Sequence, residues 1–295
     1  MKLITIVALL TFFYSCNAQP KQTVLLINKD DNSLLWQVSG NGMQQPSYLF
    51  GTFHLMCKDD IHFSGQLKVA VSRVDKVYME MDMDDPATML SGLFLMNMKD
   101  KTLPELYTAT DYKRVSAFFK DSLGISLISL QKIKPFFLEA MMYPKMMPCK
   151  TISGVEEELM KIAKLQKKEI KGFETMEFQA GIFDSIPYEE QAKELLKSID
   201  SLASNKNEFD TMMNVYKSQR VGEIENLFSK SESGMEAHQD ILLDNRNKNW
   251  VAQLKIIMKT DKVFVAVGAG HLVGKQGLIA LLRKEGYTVK PLLNK

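Results

Sequence analysis

Two segments share one pattern, in which an apolar run is followed by Gly, two further residues and His. The first contains Gly51 and His54, and the second contains Gly268 and His271. Each apolar run is typical of a buried strand, and ligands of α/β sheets collect at the carboxyl ends of strands. Gly allows a tight turn, which would aim the His over the edge of the sheet. The motifs use two of the four His in the chain, although ordinary turn residues would give the same pattern.

Two charged residues stand in apolar surroundings. Glu80 lies in an alternating segment, 77–83, that predicts a strand. A buried carboxylate is costly unless it is paired, hydrogen-bonded or bound to a metal, whereas on an edge strand Glu80 would face solvent. Arg246 is one of only five Arg among 37 basic residues, and it shares a helix face with Leu243 and Trp250. That position favours a fixed partner, such as Glu80 or a substrate carboxylate, but an Arg at the edge of the face could also reach solvent.

These residues could carry out hydrolysis by two routes. Glu174 follows a predicted strand and could join the same edge of the sheet. Imidazole and carboxylate ligands suit Zn, Mn or Co. Without a metal, His could act as the general base while Arg held an oxyanion. The chain has no G-x-S-x-G elbow, H-E-x-x-H or Walker loop, which argues against the mechanisms that depend on those motifs.

The first 18 residues predict export. They combine a basic start with an apolar run and a small-residue cleavage region, which is typical of a signal peptide. Cleavage before Cys16 would leave a lipidated Cys and a membrane-attached lipoprotein, whereas cleavage after Ala18 would leave a soluble chain beginning at Gln19. We therefore expect a periplasmic protein or a cell-envelope lipoprotein.

The composition is that of an ordinary globular protein. Of 295 residues, 45% are hydrophobic and 24% are charged, with a net charge of +2. This balance gives no sign of a nucleic-acid partner. Three Cys exclude a Cys-rich scaffold. Outside the cytoplasm Cys57 and Cys149 could pair, or they could remain two separate buried thiols.

Strands and helices alternate at both ends of the chain. Strands are predicted at 33–38, 47–52, 169–173 and 263–267, at the end of 71–83, and from Val289 onward. Helices are predicted at 153–168, 187–202, 208–228, 239–258 and 278–284, and Ser153 and Glu156 have capping-box spacing. The pattern predicts an α/β fold of the α+β type, in which helices surround a mixed central sheet. A helical insertion at about 87–150 separates two sheet-building halves, and residues 19–295 are expected to form a single domain.

Several segments, in chain order, carry a resemblance to a known family. They are SYLFGTFH at 47–54, VYMEMD at 77–82, GFET at 172–175 with Gln179, Arg246-Asn247, and VGAGHL at 267–272. Together they resemble the TraB/GumN family of the Tiki/TraB/PrgY-like superfamily, over about residues 34 to 292.

The resemblance implies a fold shared with erythromycin-esterase-like and ChaN-like proteins, with the site between two similar halves. It implies a site composed of Gly51, His54, Glu80, Arg246, Gly268 and His271. The Tiki branch is described as metal-dependent peptidases, while other branches limit peptide pheromone signalling. Where relatives often have Gly-x-Asp before the central helix, this chain has Gly154-Val155-Glu156, with a longer carboxylate.

The resulting hypothesis is an extracytoplasmic, metal-dependent hydrolase that acts on a peptide or a small molecule. His54, His271 and Glu80 would bind Mn, Co or Zn, with Glu80 or Glu174 as the catalytic carboxylate. Arg246 would orient Glu80 or stabilise the oxyanion. The alternatives are a protein that binds or sequesters a peptide or small ligand without turnover, and a metal-independent, esterase-like hydrolase.

Overall fold

The computed structural model describes residues 32–83, 92, 94–228 and 235–295. The predicted signal peptide, with Cys16 and Ala18, lies outside these residues. Within the described part of the chain, no helix is both long enough and apolar enough to cross a membrane.

A six-stranded mixed sheet forms the centre of the protein. The strands are β1 (Leu35–Gly40), β2 (Ser47–Thr52), β3 (Met56–Cys57), β4 (Lys76–Met81), β5 (Ile152–Ser153), β6 (Glu169–Glu174), β7 (Val263–Gly268) and β8 (Tyr287–Pro291). The sheet order is β6-β4-β7-β2-β1-β8, and β3 and β5 form a separate antiparallel pair. Strands β6, β4, β7 and β2 run parallel, whereas β1 is antiparallel to both β2 and β8.

Helices cover the sheet and build a separate region beside it. They are α1 (Gly65–Arg73), α2 (Leu103–Leu106), α3 (Ala109–Phe118), α4 (Pro135–Ala140), α5 (Tyr143–Met146), α6 (Val155–Leu165), α7 (Met176–Asp184), α8 (Tyr188–Asp200), α9 (Leu202–Lys217), α10 (Val221–Phe228), α11 (Asn245–Ile257) and α12 (Leu278–Lys284). The main core surrounds β7, whose continuous apolar run, 263–267, is fully buried as expected for a central parallel strand. A second cluster, which includes Leu103, Phe119 and Leu195, fills the helical region.

The sequence predicts the α+β class and the mixed sheet correctly. Whether Glu80 lies on an inner or an edge strand was left open, and it lies on an inner strand, because β4 is between β6 and β7. Two predicted helices differ from the structure. The single helix predicted at 208–228 is two helices, which meet at a left-handed turn where Gln219 has φ +55°. A π-helical turn, Asp240–Asp244, occupies the start of the helix predicted at 239–258. Cys57 and Cys149, whose pairing was left open, form a disulfide.

Candidate active site at the carboxyl ends of the parallel strands

Three predicted site residues converge at one edge of the sheet. The two Gly-x-x-His motifs follow β2 and β7, which are adjacent and parallel, and β4 lies on the other side of β7. His54, His271 and Glu80 therefore reach the same edge. A Cβ added at Gly268 would lie 3.3 Å from Oε1 of Glu80, 3.7 Å from Cδ2 of His271 and 3.9 Å from Nε2 of His54. Gly268 thus leaves open a space that the three side chains share.

Gly51 serves packing rather than access to that space. A Cβ added there would lie 2.9 Å from Cδ1 of Leu272 and 3.0 Å from Cβ of Ala269. Real Cβ atoms tolerate such distances only if a neighbour moves. The absence of a side chain at Gly51 therefore lets the second motif pack directly against β2.

Arg246 is buried at the centre of a polar network. Its Nε and Nη2 donate to the carboxylate of Glu174 at 3.1 and 2.9 Å, and Nη2 also donates to Oε2 of Glu80 at 2.6 Å. Its Nη1 donates to the carbonyl oxygen of Leu242 at 2.9 Å and contacts Nε2 of His271 at 3.2 Å. These contacts account for all five N–H groups of the guanidinium. In this arrangement Arg246 orients Glu80. All N–H groups of Arg246 are already engaged, so an oxyanion would have to displace one of their acceptors.

Glu174 supports Arg246 from the side away from the shared space. Its Oε1 accepts from Nε1 of Trp250 at 2.8 Å, and its Oε2 accepts from Nε2 of Gln179 at 3.0 Å. The guanidinium of Arg246 also stacks over the Trp250 ring, 4.8 Å from its centroid. With its carboxylate saturated by these donors, Glu174 is placed to hold Arg246 and not to meet a substrate. Of the two carboxylates, Glu80 and Glu174, only Glu80 reaches the shared space over Gly268.

The hydrogen bonds around His271 define its tautomer. Nδ2 of Asn247 donates to the carbonyl oxygen of Gln276 at 2.9 Å, so Oδ1 of Asn247 is the acceptor that faces Nδ1 of His271 at 2.7 Å. The proton of His271 is therefore on Nδ1, and the lone pair on Nε2 lies 3.7 Å from Oε1 of Glu80. Burial lowers the pKa of His271 to about 3, against the attraction of Glu80, so the ring is neutral near pH 7.

His54 is paired with Glu156. Its Nδ1 lies 2.8 Å from Oε1 of Glu156, which also accepts from Oγ1 of Thr52 at 2.5 Å. The hydrogen bond to Glu156 raises the pKa of His54 to about 9, against the cost of desolvation. The side chain is nevertheless 72% exposed, because it faces a cavity.

Glu156 is the functional residue that the sequence analysis misassigned. The predicted capping box of Ser153 and Glu156 is wrong, since Ser153 donates to the carboxylates of Glu157 and Glu158 instead. Glu156 lies in the first turn of α6, where it is free to turn toward His54. The signal that could have identified it was the Gly-x-acid pattern before that helix.

Glu80 is held as a carboxylate. Its Oε1 accepts from the backbone N–H of Gly268 at 2.9 Å, and its Oε2 is paired with Arg246. Burial alone would raise the pKa of Glu80, but the attraction of His271, Arg246 and His54, together with the Gly268 N–H, outweighs burial and lowers the pKa to about 2. Glu80 therefore carries its negative charge throughout the physiological range.

These residues open onto a cavity of about 500 Å³. The sheet edge forms one end of the cavity, and helices α4, α5, α7, α8 and α9 supply most of its wall. The lining away from the sheet edge combines apolar and charged side chains. The apolar members include Phe136, Met142, Tyr143, Phe183, Phe209 and Met212, and the charged members are Glu139, Glu194, Lys197 and Glu208. Helices from the insertion and from the segment 176–217 therefore enclose the cavity together.

A family model of the TraB/PrgY/gumN family matches residues 34–291. The matched region contains all the residues of the network and nearly the whole described chain. The chain belongs to the TraB/PrgY/gumN family. Comparisons with curated proteins and with solved structures gave no match. The activity of this TraB/PrgY/gumN protein is therefore argued from its own site.

Some side chains of the site are of the types that bind a divalent cation. Three carboxylates, Glu80, Glu156 and Glu174, share the network with one guanidinium, so that two negative charges are left for a cation or for protons to balance. Oε1 of Glu80 and Nε2 of His54 face the same space. Nε2 of His271 could become a third ligand only by leaving Arg246. The described residues contain no group of three His, Cys, Asp or Glu side chains already arranged as a metal site.

Proposed function

We propose that this TraB/PrgY/gumN protein is a metal-dependent hydrolase that cleaves a peptide, or a small molecule with a similar acyl bond, inside the cavity. The observation that carries the proposal is the convergence of His54, Glu80 and His271 on the space over Gly268, at the end of that cavity. The carboxylates of the network outnumber its guanidinium by two, and a divalent cation that displaced the proton of His54 would balance both charges. Mn, Co and Zn are the candidates that suit imidazole and carboxylate.

Each residue of the network has a task in the proposed reaction. Glu80 and His54 would hold the ion, which when bound lowers the pKa of its water toward about 7 and polarises the scissile carbonyl group. Arg246 keeps the Glu80 carboxylate in place, and Glu156 does the same for the His54 ring. Asn247 fixes the tautomer of His271, whose Nε2 accepts from Nη1 of Arg246 and so helps to hold the guanidinium in place.

The metal-independent hydrolase has weaker support. A general base works best with a pKa near the working pH. His54, with a pKa of about 9, is mostly protonated at pH 7, and Glu80, with a pKa of about 2, is a weak base. The lone pair of His271 already contacts Arg246. A cation that replaces the proton on His54 would remove the first of these obstacles.

We also propose that the protein is exported to the periplasm or the cell envelope. The pattern of residues 1–18 predicts a signal peptide, and disulfides such as Cys57–Cys149 are typical of proteins outside the cytoplasm. Mass spectrometry of the N-terminus of the mature protein tests the proposal. A lipid-modified Cys16 would indicate a membrane-attached lipoprotein, an N-terminal Gln19 would indicate a soluble exported protein, and an uncleaved Met1 would contradict export.

The activity is tested with a library of fluorogenic peptides, with and without a chelator, followed by reloading with Mn²⁺, Co²⁺ or Zn²⁺. We expect turnover that is lost on chelation, restored by one of the ions, and abolished in His54→Ala. The matched control is His62→Ala, which removes an exposed His outside the network. Turnover that survives chelation would instead support the metal-independent hydrolase, and tight binding without turnover would support a sequestering protein.

A further inference from the structure

The two chain segments that supply His54 and Glu156 are joined covalently. Cys57 comes three residues after His54, and Cys149 comes seven residues before Glu156. The disulfide between them bridges a sequence separation of 92 residues, which includes α4 and α5, two of the helices that line the cavity. The bond therefore lies at the point where the chain returns from the helical region to the edge of the sheet.

The non-covalent contacts between the two segments are few. β3 and β5 pair over only two positions, outside the six-stranded sheet. Two further backbone hydrogen bonds, each 3.0 Å, run from the N–H of Lys58 to the carbonyl oxygen of Thr151 and from the N–H of Val155 to that of Phe53. Thr52 also donates to Glu156, and Met56 and Val155 are buried in the main core. The disulfide adds a covalent link to these contacts.

The disulfide also lies behind the wall of the cavity next to His54. Cys57 and Cys149 belong to a small apolar cluster with Phe53, Phe209 and Met213. Phe53 directly precedes His54, and its ring centroid lies 5.8 Å from that of Phe209. Through this cluster, the residue that precedes His54 packs against α9.

We propose that Cys57 and Cys149 are positioning residues for the proposed reaction, because their disulfide keeps His54 within hydrogen-bond distance of Glu156. The inference rests on the proposed function. Reduction by a dithiol would break the Sγ–Sγ bond with two electrons and two protons, leaving two thiols here and a disulfide in the reductant. The His54 segment would then separate more easily from Glu156, and affinity for the ion and turnover would both fall.

The expected size of the effect follows from the role of Glu156. Loss of a residue that orients a metal ligand typically weakens metal binding or activity by about 10- to 100-fold. Reduction loosens the contact without deleting it, so we expect the lower end of that range, about tenfold. A Cys57→Ser/Cys149→Ser variant should show the same loss and should no longer respond to a reductant.

The first arm of the test is a Co²⁺ titration of four proteins: wild type, Cys57→Ser/Cys149→Ser, Glu156→Ala, and the combination of all three substitutions. If the disulfide acts through the His54–Glu156 contact, removing it from Glu156→Ala should change the Co²⁺ dissociation constant by less than about twofold. Full additivity of the two losses would overturn the inference, and so would equal affinity of the wild type and the Cys variant.

The second arm does not depend on a metal. Amide hydrogen exchange is compared between the oxidised and reduced wild type at Lys58 and Val155, with the β7 amides at 263–267 as reporters of global unfolding. We expect reduction to accelerate hydrogen exchange at the amides of Lys58 and Val155 more than at the amides of β7. Equal acceleration everywhere would mean that the disulfide is only a general stabiliser, and no acceleration would also refute the inference. If the oxidised wild type neither binds Co²⁺ nor hydrolyses peptides, the proposed function fails, while this arm still tests the positioning role.

Discussion

Two glycine-to-alanine substitutions, Gly268→Ala and Gly51→Ala, should have different effects. The first should lower turnover, and the second should lower the stability of the fold. The Cβ of Gly268→Ala would make no contact shorter than 3.3 Å with the described residues, and the φ of −48° and ψ of 135° at this position suit alanine. Gly→Ala at a compatible backbone position stabilises a protein by about 0.4–1 kcal/mol through the unfolded chain. Contact with the Glu80 carboxylate should offset part of that gain. We therefore expect the free energy of unfolding of Gly268→Ala to stay within about 1 kcal/mol of the wild-type value.

The same methyl group would occupy the space over Gly268 that His54, Glu80 and His271 share. A displacement of about 1 Å at a reacting centre can cost about 100-fold in rate, so we expect kcat/KM to fall by at least about that factor. In Gly51→Ala the Cβ would lie 2.9 Å from Leu272 and 3.0 Å from Ala269, and overpacking of this kind costs about 1–3 kcal/mol.

The assay combines urea unfolding with peptide turnover for the wild type and both variants. We predict that Gly51→Ala loses mainly stability, whereas Gly268→Ala loses mainly turnover. Wild-type turnover in a folded Gly268→Ala protein would refute the conclusion that the reaction takes place over Gly268. A large loss of stability in Gly268→Ala would show that the position is needed for packing instead.

Three further changes test the network and its surroundings. Glu174→Gln removes one of the two carboxylates that pair with a buried guanidinium and leaves Glu80 as the other. Urea unfolding should show a loss of about 2 kcal/mol, whereas the exposed control Glu177→Gln should stay within about 0.5 kcal/mol. Equal stabilities would contradict the anchoring role. The pKa of His54 is raised to about 9, so below that pH a metal ion must displace the proton of His54. The Co²⁺ affinity measured by calorimetry should therefore rise about tenfold per pH unit from pH 7 and level off above pH 9. A flat profile would exclude His54 as a ligand. Lys134→Met should destabilise the helical region by about 3 kcal/mol, because it removes a buried ammonium paired with Asp184 at 2.8 Å. Turnover per folded molecule should be retained. A loss of turnover without a loss of stability would contradict a purely structural role for Lys134.

The sequence carries strong information about the strands that end at the site. The run 263–267 is apolar because β7 is buried on both faces, and such a run is easily recognised. By contrast, the sequence cannot tell an inner strand from an edge strand when the strand is short. The alternation around Glu80 is the same in both cases, and only pairing with β6 and β7 decides between them.

Residues that act through others are harder to predict than residues with unusual surroundings. Arg246 could be singled out because a guanidinium on an apolar helix face needs a partner, and the structure supplies Glu80 and Glu174. Glu156 could not be recognised in this way, because a Glu in the first turn of a helix is common. Its role depends on the closeness of His54, about 100 residues earlier in the chain, and that closeness exists only in the folded protein.

The central claim, that His54 and Glu80 hold a divalent ion, is tested most directly by metal content. The purified protein from residue 19 onward, its His54→Ala variant and the control His62→Ala would each be incubated with Mn²⁺, Co²⁺ or Zn²⁺, dialysed, and measured by elemental mass spectrometry. We predict about one equivalent of one of these ions in the wild type and in His62→Ala, and loss of that ion in His54→Ala. No retained ion in the wild type, or equal amounts in all three proteins, would contradict the claim.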